Sequence, residues 1–527
     1  MSARDEVLAR YELVMGMEVH AQLNTETKLF CGCKLEFAAP PNSRTCPVCL
    51  GHPGALPALN AAALEKGLRL AAAFEAAISP STEFDRKNYY YPDLPKNYQI
   101  SQMFRNLGEG GRLQLLRSGK TVRMHNVHLE EDAGKLSHSD GGRASTVDLN
   151  RAGTPLAEIV TMPDFRSLEE VDDYMDTLTE VLRVLDVCRC QMQEGNLRFE
   201  VSISVRPAGT DALGQRTEIK NLNSYSAVRR AITYEHARQV ALLEAGKTPR
   251  QETRLWDGEE DSAYEAGVAE AWKVPAAAVR ALLPEDWEPR DGDGQPTGAP
   301  GGRTRFMRSK EDAHDYRYFP EPDLPAFAID PARVDAIRRG LPELPGPRRA
   351  RYAGLGVPQK TAEDLARNAP LAGYFEALLA EGLEPGDAAN YVMNQVTAAL
   401  KKGDLAVKDF PVPPAHLAEL HRVITSGQLP KDLVLKRVWP EVIDKREAPA
   451  AVIARLGLKA VDAGAMLAAV DAAFAANPKA VADLLAGKDK ARGAIVGAVQ
   501  KQLKGAADLT AVNARIDALV AAAKAGS

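Results

Sequence analysis

The chain changes its periodicity about two thirds of the way along, and this limits the fold more than any other feature. Up to about Asp330, short strand-like runs alternate with helical segments. In Leu197-Arg198-Phe199-Glu200-Val201-Ser202-Ile203-Ser204-Val205-Arg206, apolar and polar residues alternate strictly, the period of a half-buried strand. From Ser167 to Val187, the residues Leu168, Val171, Tyr174, Met175, Leu178 and Leu182 recur at helical spacing. Strands and helices mixed in this way predict an α+β domain over 1–331. From Pro331 onward strand signals almost vanish. Pro345, Pro358, Pro385, Pro411, Pro413, Pro430 and Pro478 punctuate a sequence rich in alanine, leucine and lysine, which predicts helices broken at prolines. A helical domain is expected over 332–415 and an alanine-rich helical tail over 416–527. The stretch near 257–303 reads as an insertion, with an alanine-rich piece followed by linker composition from Asp291 to Gly302.

Composition narrows the function. Hydrophobic residues are 45% and charged residues 26% of the 527, enough for real cores and unlike a disordered chain, a collagen or a disulfide-stapled module. Acidic residues number 71 against 66 basic ones, so any nucleic-acid contact is a local patch. No apolar stretch has membrane length and the N-terminus is charged, so the expected location is the cytoplasm, without membrane contact.

Five segments carry chemistry. Cys31-Gly32-Cys33 and Cys46-Pro47-Val48-Cys49 are two close cysteine pairs separated by a loop. Four thiolates suit a closed, structural tetrahedral Zn²⁺ site at 31–49; the alternative is four unligated thiols. Cys188 and Cys190 lack a second pair and read as buried free thiols. In the strand Met15–Leu23, Gly16, Glu18, His20 and Gln22 share one face, so Glu18 and His20 can converge on a cation or simply form a solvated face. In His128-Leu129-Glu130-Glu131-Asp132, three consecutive carboxylates repel unless a cation or basic groups lie among them; otherwise this is an exposed acidic loop. Glu158 interrupts the apolar strand Pro155–Val160, where a carboxylate must be paired, liganded or protonated. The run Phe84–Gln102 holds Arg86 and Lys87, phosphate-contact types, among several tyrosines. There is no Walker-type loop. Together these residues point to a Mg²⁺-carboxylate site for phosphoryl transfer.

The runs Gly16–Leu23, Phe84–Tyr89, Leu129–Lys135, Asp148–Arg151 and Asp315–Asp323 closely resemble the B subunits of the bacterial tRNA-dependent amidotransferases, and the similarity runs along nearly the whole chain. The resemblance implies a glutamine-synthetase-like catalytic domain with an antiparallel sheet, then an all-α linker and an all-α tail that recognises tRNA. It implies a ligase that uses ATP to phosphorylate the side-chain carboxylate of Glu or Asp misattached to tRNA(Gln) or tRNA(Asn). Ammonia from an amidase-like A subunit, in a heterotrimer with a small C subunit, then displaces the phosphate. The family's Mg²⁺ site matches Glu18, His20, Glu131 and Glu158. Arg86 and Lys87 are expected to contact ATP or substrate. The four cysteines match the zinc-bearing members. In the tail, Lys488, Lys490, Arg492, Lys501 and Lys504 are expected to contact tRNA phosphates, although a solvated basic face is the bland alternative. The competing reading is a non-catalytic tRNA-binding scaffold, which has no need of a buried acid and imidazole cluster.

Overall fold

The computed structural model describes residues 2–138, 144–258, 273–284, 286–287, 301–309, 316–458, 463–503, 507 and 509–525. It divides into two compact units, Met1–Ala350 and Arg351–Ser527.

The first unit is built on a sheet whose main path has nine strands. In chain order they are β1 (Tyr11–Gln22), β2 (Ala77–Ile78), β3 (Gly108–Glu109), β4 (Thr121–Glu131), β5 (Pro155–Thr161), β6 (Leu197–Pro207), β7 (Thr217–Leu222), β8 (Glu252–Asp257) and β9 (Arg303–Ser309). Their order across the sheet is β9-β8-β7-β6-β1-β5-β4-β3-β2, and a short strand Arg112–Gln114 also pairs with β4. The expected antiparallel sheet needs one correction. β7 and β8 run parallel, and the helix Tyr225–Glu244 lies between them in sequence. A parallel neighbour needs a crossover of that kind, whereas the antiparallel pairs do not.

Alternation sorts the two faces of β1. Met15, Met17, Val19 and Ala21 are buried in one core with Val171, Tyr174, Met175, Leu178 and Leu182 of the helix Leu168–Val184. Ser167 caps that helix by accepting from the Glu170 amide, which sets its start where the sequence placed it. Gly16, Glu18, His20 and Gln22 face the other way.

A smaller sheet aligns Phe319–Pro320, Asp85–Asn88 and Tyr98–Ser101. It sets Glu321 and Asp323 beside Arg86. Asp257 of β8 faces Arg303 of β9, so the insertion leaves and re-enters the sheet at adjacent positions. It is not wholly peripheral. Its Val279, Leu282, Leu283 and Trp287 join the core of the first unit. Most of the Asp291–Gly302 linker lies outside the described residues, as does the stretch from Lys310 to Asp315.

The second unit is helical, and prolines stand where helices begin. Pro385, Pro414, Pro449 and Pro478 each open one. There the missing N–H costs nothing and the ring presets φ. One apolar core runs from Tyr352 to Ile453, across position 415, and a second from Ala469 to Ile516. The helix Pro331–Gly340 sends Val334 and Ile337 into the core of the first unit, which therefore extends past position 331.

Candidate active site

Strand register builds the site. His20 of β1 lies opposite Arg198 of β6 and Glu158 of β5, and Glu158 lies opposite His128 of β4. Directly opposed residues share a face, so Arg198, His20, Glu158 and His128 form one row across four strands. Two residues back along β1, Glu18 faces Glu200. Two residues beyond His128, Glu130 adds a carboxylate to the same face.

The side chains converge. His20 Nε2 is 3.5 Å from Glu158 Oε2, 3.5 Å from Glu130 Oε1 and 3.8 Å from Glu18 Oε1. His128 Nε2 is 3.2 Å from the same Glu158 oxygen. Glu18, His20 and Glu158 can present ligand atoms within 4.8 Å of one another, and so can His128, Glu130 and Glu158. His20 Nδ1 is buried without a hydrogen-bond partner among the described residues. Three hard oxygen donors with an imidazole suit Mg²⁺ or Mn²⁺, so the residues present fit the ion the resemblance implies.

The electrostatics reflect crowding. Burial, and then the charge of Glu158, raises the Glu18 carboxyl to about 7. Burial disfavours the His20 imidazolium, but Glu158, Glu130 and Glu200 outweigh it and bring the pKa to about 9. At His128 burial is likewise outweighed by Glu158, and its pKa is raised. Burial works against the Glu158 carboxylate, yet the two imidazoles hold it well below the usual carboxylate range. The cluster thus keeps protons where a divalent cation would otherwise balance the charge.

Glu131 sits elsewhere. Alternation along β4 turns it away from His128 and Glu130. Its carboxylate accepts from Lys96 Nζ and from the Ile100 amide, the latter at 3.0 Å. It belongs to neither metal-capable cluster among the described residues. Glu130 stands where Glu131 was expected. The signal was available in sequence, because His128 and Glu130 are two apart. Arg198 and His128 join the site only through strand pairing, Arg198 opposite His20 and His128 opposite Glu158.

Arg86 and Lys87 are neighbours on one strand and go different ways. Arg86 makes a two-pronged ion pair with buried Glu321, at 2.7 and 2.8 Å, and stacks on Tyr98. Lys87 faces the acidic cluster. Burial opposes its charge, but Glu130, Tyr318 and Glu158 outweigh that and raise its pKa. Its ammonium lies over Tyr316, 5.2 Å from the ring centre. Beside the cluster, Asp132 is gripped by both Arg198 nitrogens at 3.1 Å and by Gln22 at 2.7 Å.

The four cysteine sulfurs of 31–49 can also come within 4.8 Å of one another, a set that could hold a metal ion. Hydrogen bonding from Cys31 holds the Cys49 thiol low, against burial and with help from the Cys46 amide and Lys28. In the tail, Lys488 pairs with Asp483 and Arg492 with Asp517, while Lys490 and Lys501 are exposed. Lys504 lies outside the described residues.

Known proteins are similar to this chain in sequence along nearly its whole length. The family model described as "GatB/GatE catalytic domain" matches residues 13–273 and 294–335, and that described as "GatB domain" matches 373–520. The B subunit of the aspartyl/glutamyl-tRNA(Asn/Gln) amidotransferase of Thermosynechococcus vestitus is 41% identical over 518 residues, covering 96% of this chain and 95% of that protein. The B subunit from Geotalea uraniireducens is 42% identical over 511 residues, covering 96% and 98%. That of Brevibacillus brevis is 39% identical over 510 residues, also covering 96% and 98%.

Proposed function

The chain belongs to the GatB/GatE family of tRNA-dependent amidotransferase B subunits, and from that premise we propose how its site works. The reaction is the glutamine-dependent amidation of Glu-tRNA(Gln) or Asp-tRNA(Asn) to Gln-tRNA(Gln) or Asn-tRNA(Asn). A carboxylate is a poor acyl donor. The side-chain carboxylate on the misacylated tRNA therefore attacks the γ-phosphorus of ATP, and ADP leaves. Ammonia then attacks the acyl carbon, and phosphate leaves as the amide forms.

Glu18, Glu130 and Glu158, with His20, would hold Mg²⁺ on the polar face of the sheet. When bound, that ion neutralises phosphate charge and orients the phosphates for transfer. Lys87 offers a fixed cation beside the cluster for the transferring phosphoryl group. Arg86 instead braces the wall of the site through Glu321. The four cysteines would hold a structural Zn²⁺, since four sulfurs leave no open position. Exposed Lys490 and Lys501 suit tRNA phosphates. The chain works with an ammonia-producing A subunit and a small C subunit, in the cytoplasm.

One observation carries this reading: three carboxylates and two imidazoles converge on one partly buried sheet face. A scaffold that only positions tRNA would gain nothing from gathering that charge. The test is ADP release by the heterotrimeric complex with misacylated tRNA, comparing the parent with Glu158→Gln.

A further inference from the structure

Lys28 is completely buried, and no described carboxylate pairs with it. Its ammonium reaches the Cys49 sulfur at 3.5 Å and the Leu149 carbonyl at 3.3 Å. A buried ammonium with no carboxylate beside it must find its balancing negative charge elsewhere. Four thiolates around a divalent cation carry net negative charge, which an outer cation can balance. Lys28 is placed to be that cation, and its backbone N–H also donates to the Cys33 carbonyl at 3.0 Å.

The contact to Leu149 leads toward the active site. The cysteine loop is sewn to the segment 148–150: Leu149 N donates to Asn42 at 2.8 Å, Arg44 N to Asn150 at 2.8 Å, and Asn150 to the Pro40 carbonyl at 2.7 Å. The next residue, Arg151, donates to the Ala133 carbonyl at 2.9 Å and the Gly134 carbonyl at 2.5 Å. Asp132 N donates to the Thr154 carbonyl, and Gly153 N to the Asp132 carbonyl, both at 2.8 Å. The turn 132–134 directly follows Glu130 and Glu131 and carries the Asp132 that Arg198 grips.

We propose that Lys28 is a positioning residue: it is the buried counter-charge of the four thiolates that bind the metal, and it ties that centre to the segment 149–154 that holds the turn 132–134. This rests on the zinc reading of the four cysteines. It gives the zinc loop a part in shaping the catalytic site as well as in folding.

The test uses the full chain carrying Lys28→Met or Lys28→Gln, checked for parental secondary structure by circular dichroism. Zinc affinity is measured by competition with a chromogenic chelator. Cobalt substitution reports the number of sulfur ligands, and hydrogen exchange follows the amides of Asp132 and Gly153. Both variants are expected to keep a four-sulfur cobalt spectrum while binding zinc about 10- to 100-fold more weakly. The Asp132 and Gly153 amides should exchange faster. Zinc affinity within about twofold of a zinc-binding parent, well short of that range, overturns the proposal alone. A parent that takes up no zinc overturns the zinc reading and the proposal with it. Should a variant fail to fold, stripping zinc from the parent decides the matter: unchanged exchange at Asp132 and Gly153 overturns the proposal.

Discussion

His20 and Glu158 face each other across the β1–β5 register, with Nε2 and Oε2 3.5 Å apart. Each is a polar interruption in a strand whose other face is core, and pairing brings the two interruptions together. Glu158 also meets His128 from the next strand, so one carboxylate oxygen serves two imidazoles. Removing it would leave two raised-pKa histidines without their common anion.

Glu130 and Glu131 should behave differently despite being neighbours. Glu130→Gln is expected to raise the Mg²⁺ concentration needed for half-maximal ATP turnover at least about tenfold, as loss of a charged ligand should. Glu131→Gln should leave that midpoint unchanged and instead lower stability by about 3 kcal/mol, since it breaks a buried pair with Lys96. A magnesium titration and a denaturant melt of each variant check both arms. A shifted midpoint for Glu131→Gln alone would reverse the assignment.

Arg86 is expected to show itself in stability. Replacing it by Gln strands the Glu321 carboxylate, whose side chain is 0% exposed, and should cost about 3 to 5 kcal/mol. The KM for ATP should stay close to the parental value in the folded variant. A large KM change with no loss of stability would make Arg86 a nucleotide contact after all.

The insertion is expected to matter for folding. Trp287 packs against Trp256 and Tyr234 with its ring covered by Arg230. Trp287→Ala should destabilise the chain by about 3 to 5 kcal/mol, read by urea denaturation. A change under about 0.5 kcal/mol would mark the segment as peripheral.

Acid should weaken the first unit through His236. Burial, and then the Arg4 charge, lowers its pKa to about 4, and its Nε2 is buried without a partner among the described residues. The unfolded chain binds that proton below its ordinary value of 6.5, whereas the folded chain resists until about 4. Stability from this group is therefore complete above pH 6.5 and lost as pH falls toward 4. His236→Leu should flatten the stability curve between those values by roughly 1 to 3 kcal/mol. Parallel curves for parent and variant would show that His236 titrates normally.

Sequence legibility followed distance along the chain. The two faces of β1 and the helix after Ser167 are local patterns, and period alone revealed them. Prolines marked the breaks between helices because their chemistry is local too, and the structure adds that they stand at helix starts. Glu18, His20 and Glu158 stood out as polar residues in strand-like runs. The resemblance pointed to Glu131 within the run 130–132, whereas the two-residue period counted from His128 turns Glu130 toward the cluster. The Arg86–Glu321 pair spans most of the first unit, and nothing near Arg86 announces it. Likewise, only the sheet order shows that β7 and β8 run parallel, and only packing shows that Trp287 enters the core.

Whether this sheet face carries the ATP chemistry is tested most directly by ADP release. The assembled heterotrimer is supplied with Mg²⁺ and misacylated tRNA, and the parent is compared with Glu158→Gln of equal assembly and tRNA binding. The expected result is turnover by the parent and a loss on the order of 10² to 10³-fold in the variant, the scale of removing a preorganised electrostatic group. Equal ADP release by both would contradict it, leaving Glu158 a structural carboxylate and this chain a scaffold for tRNA.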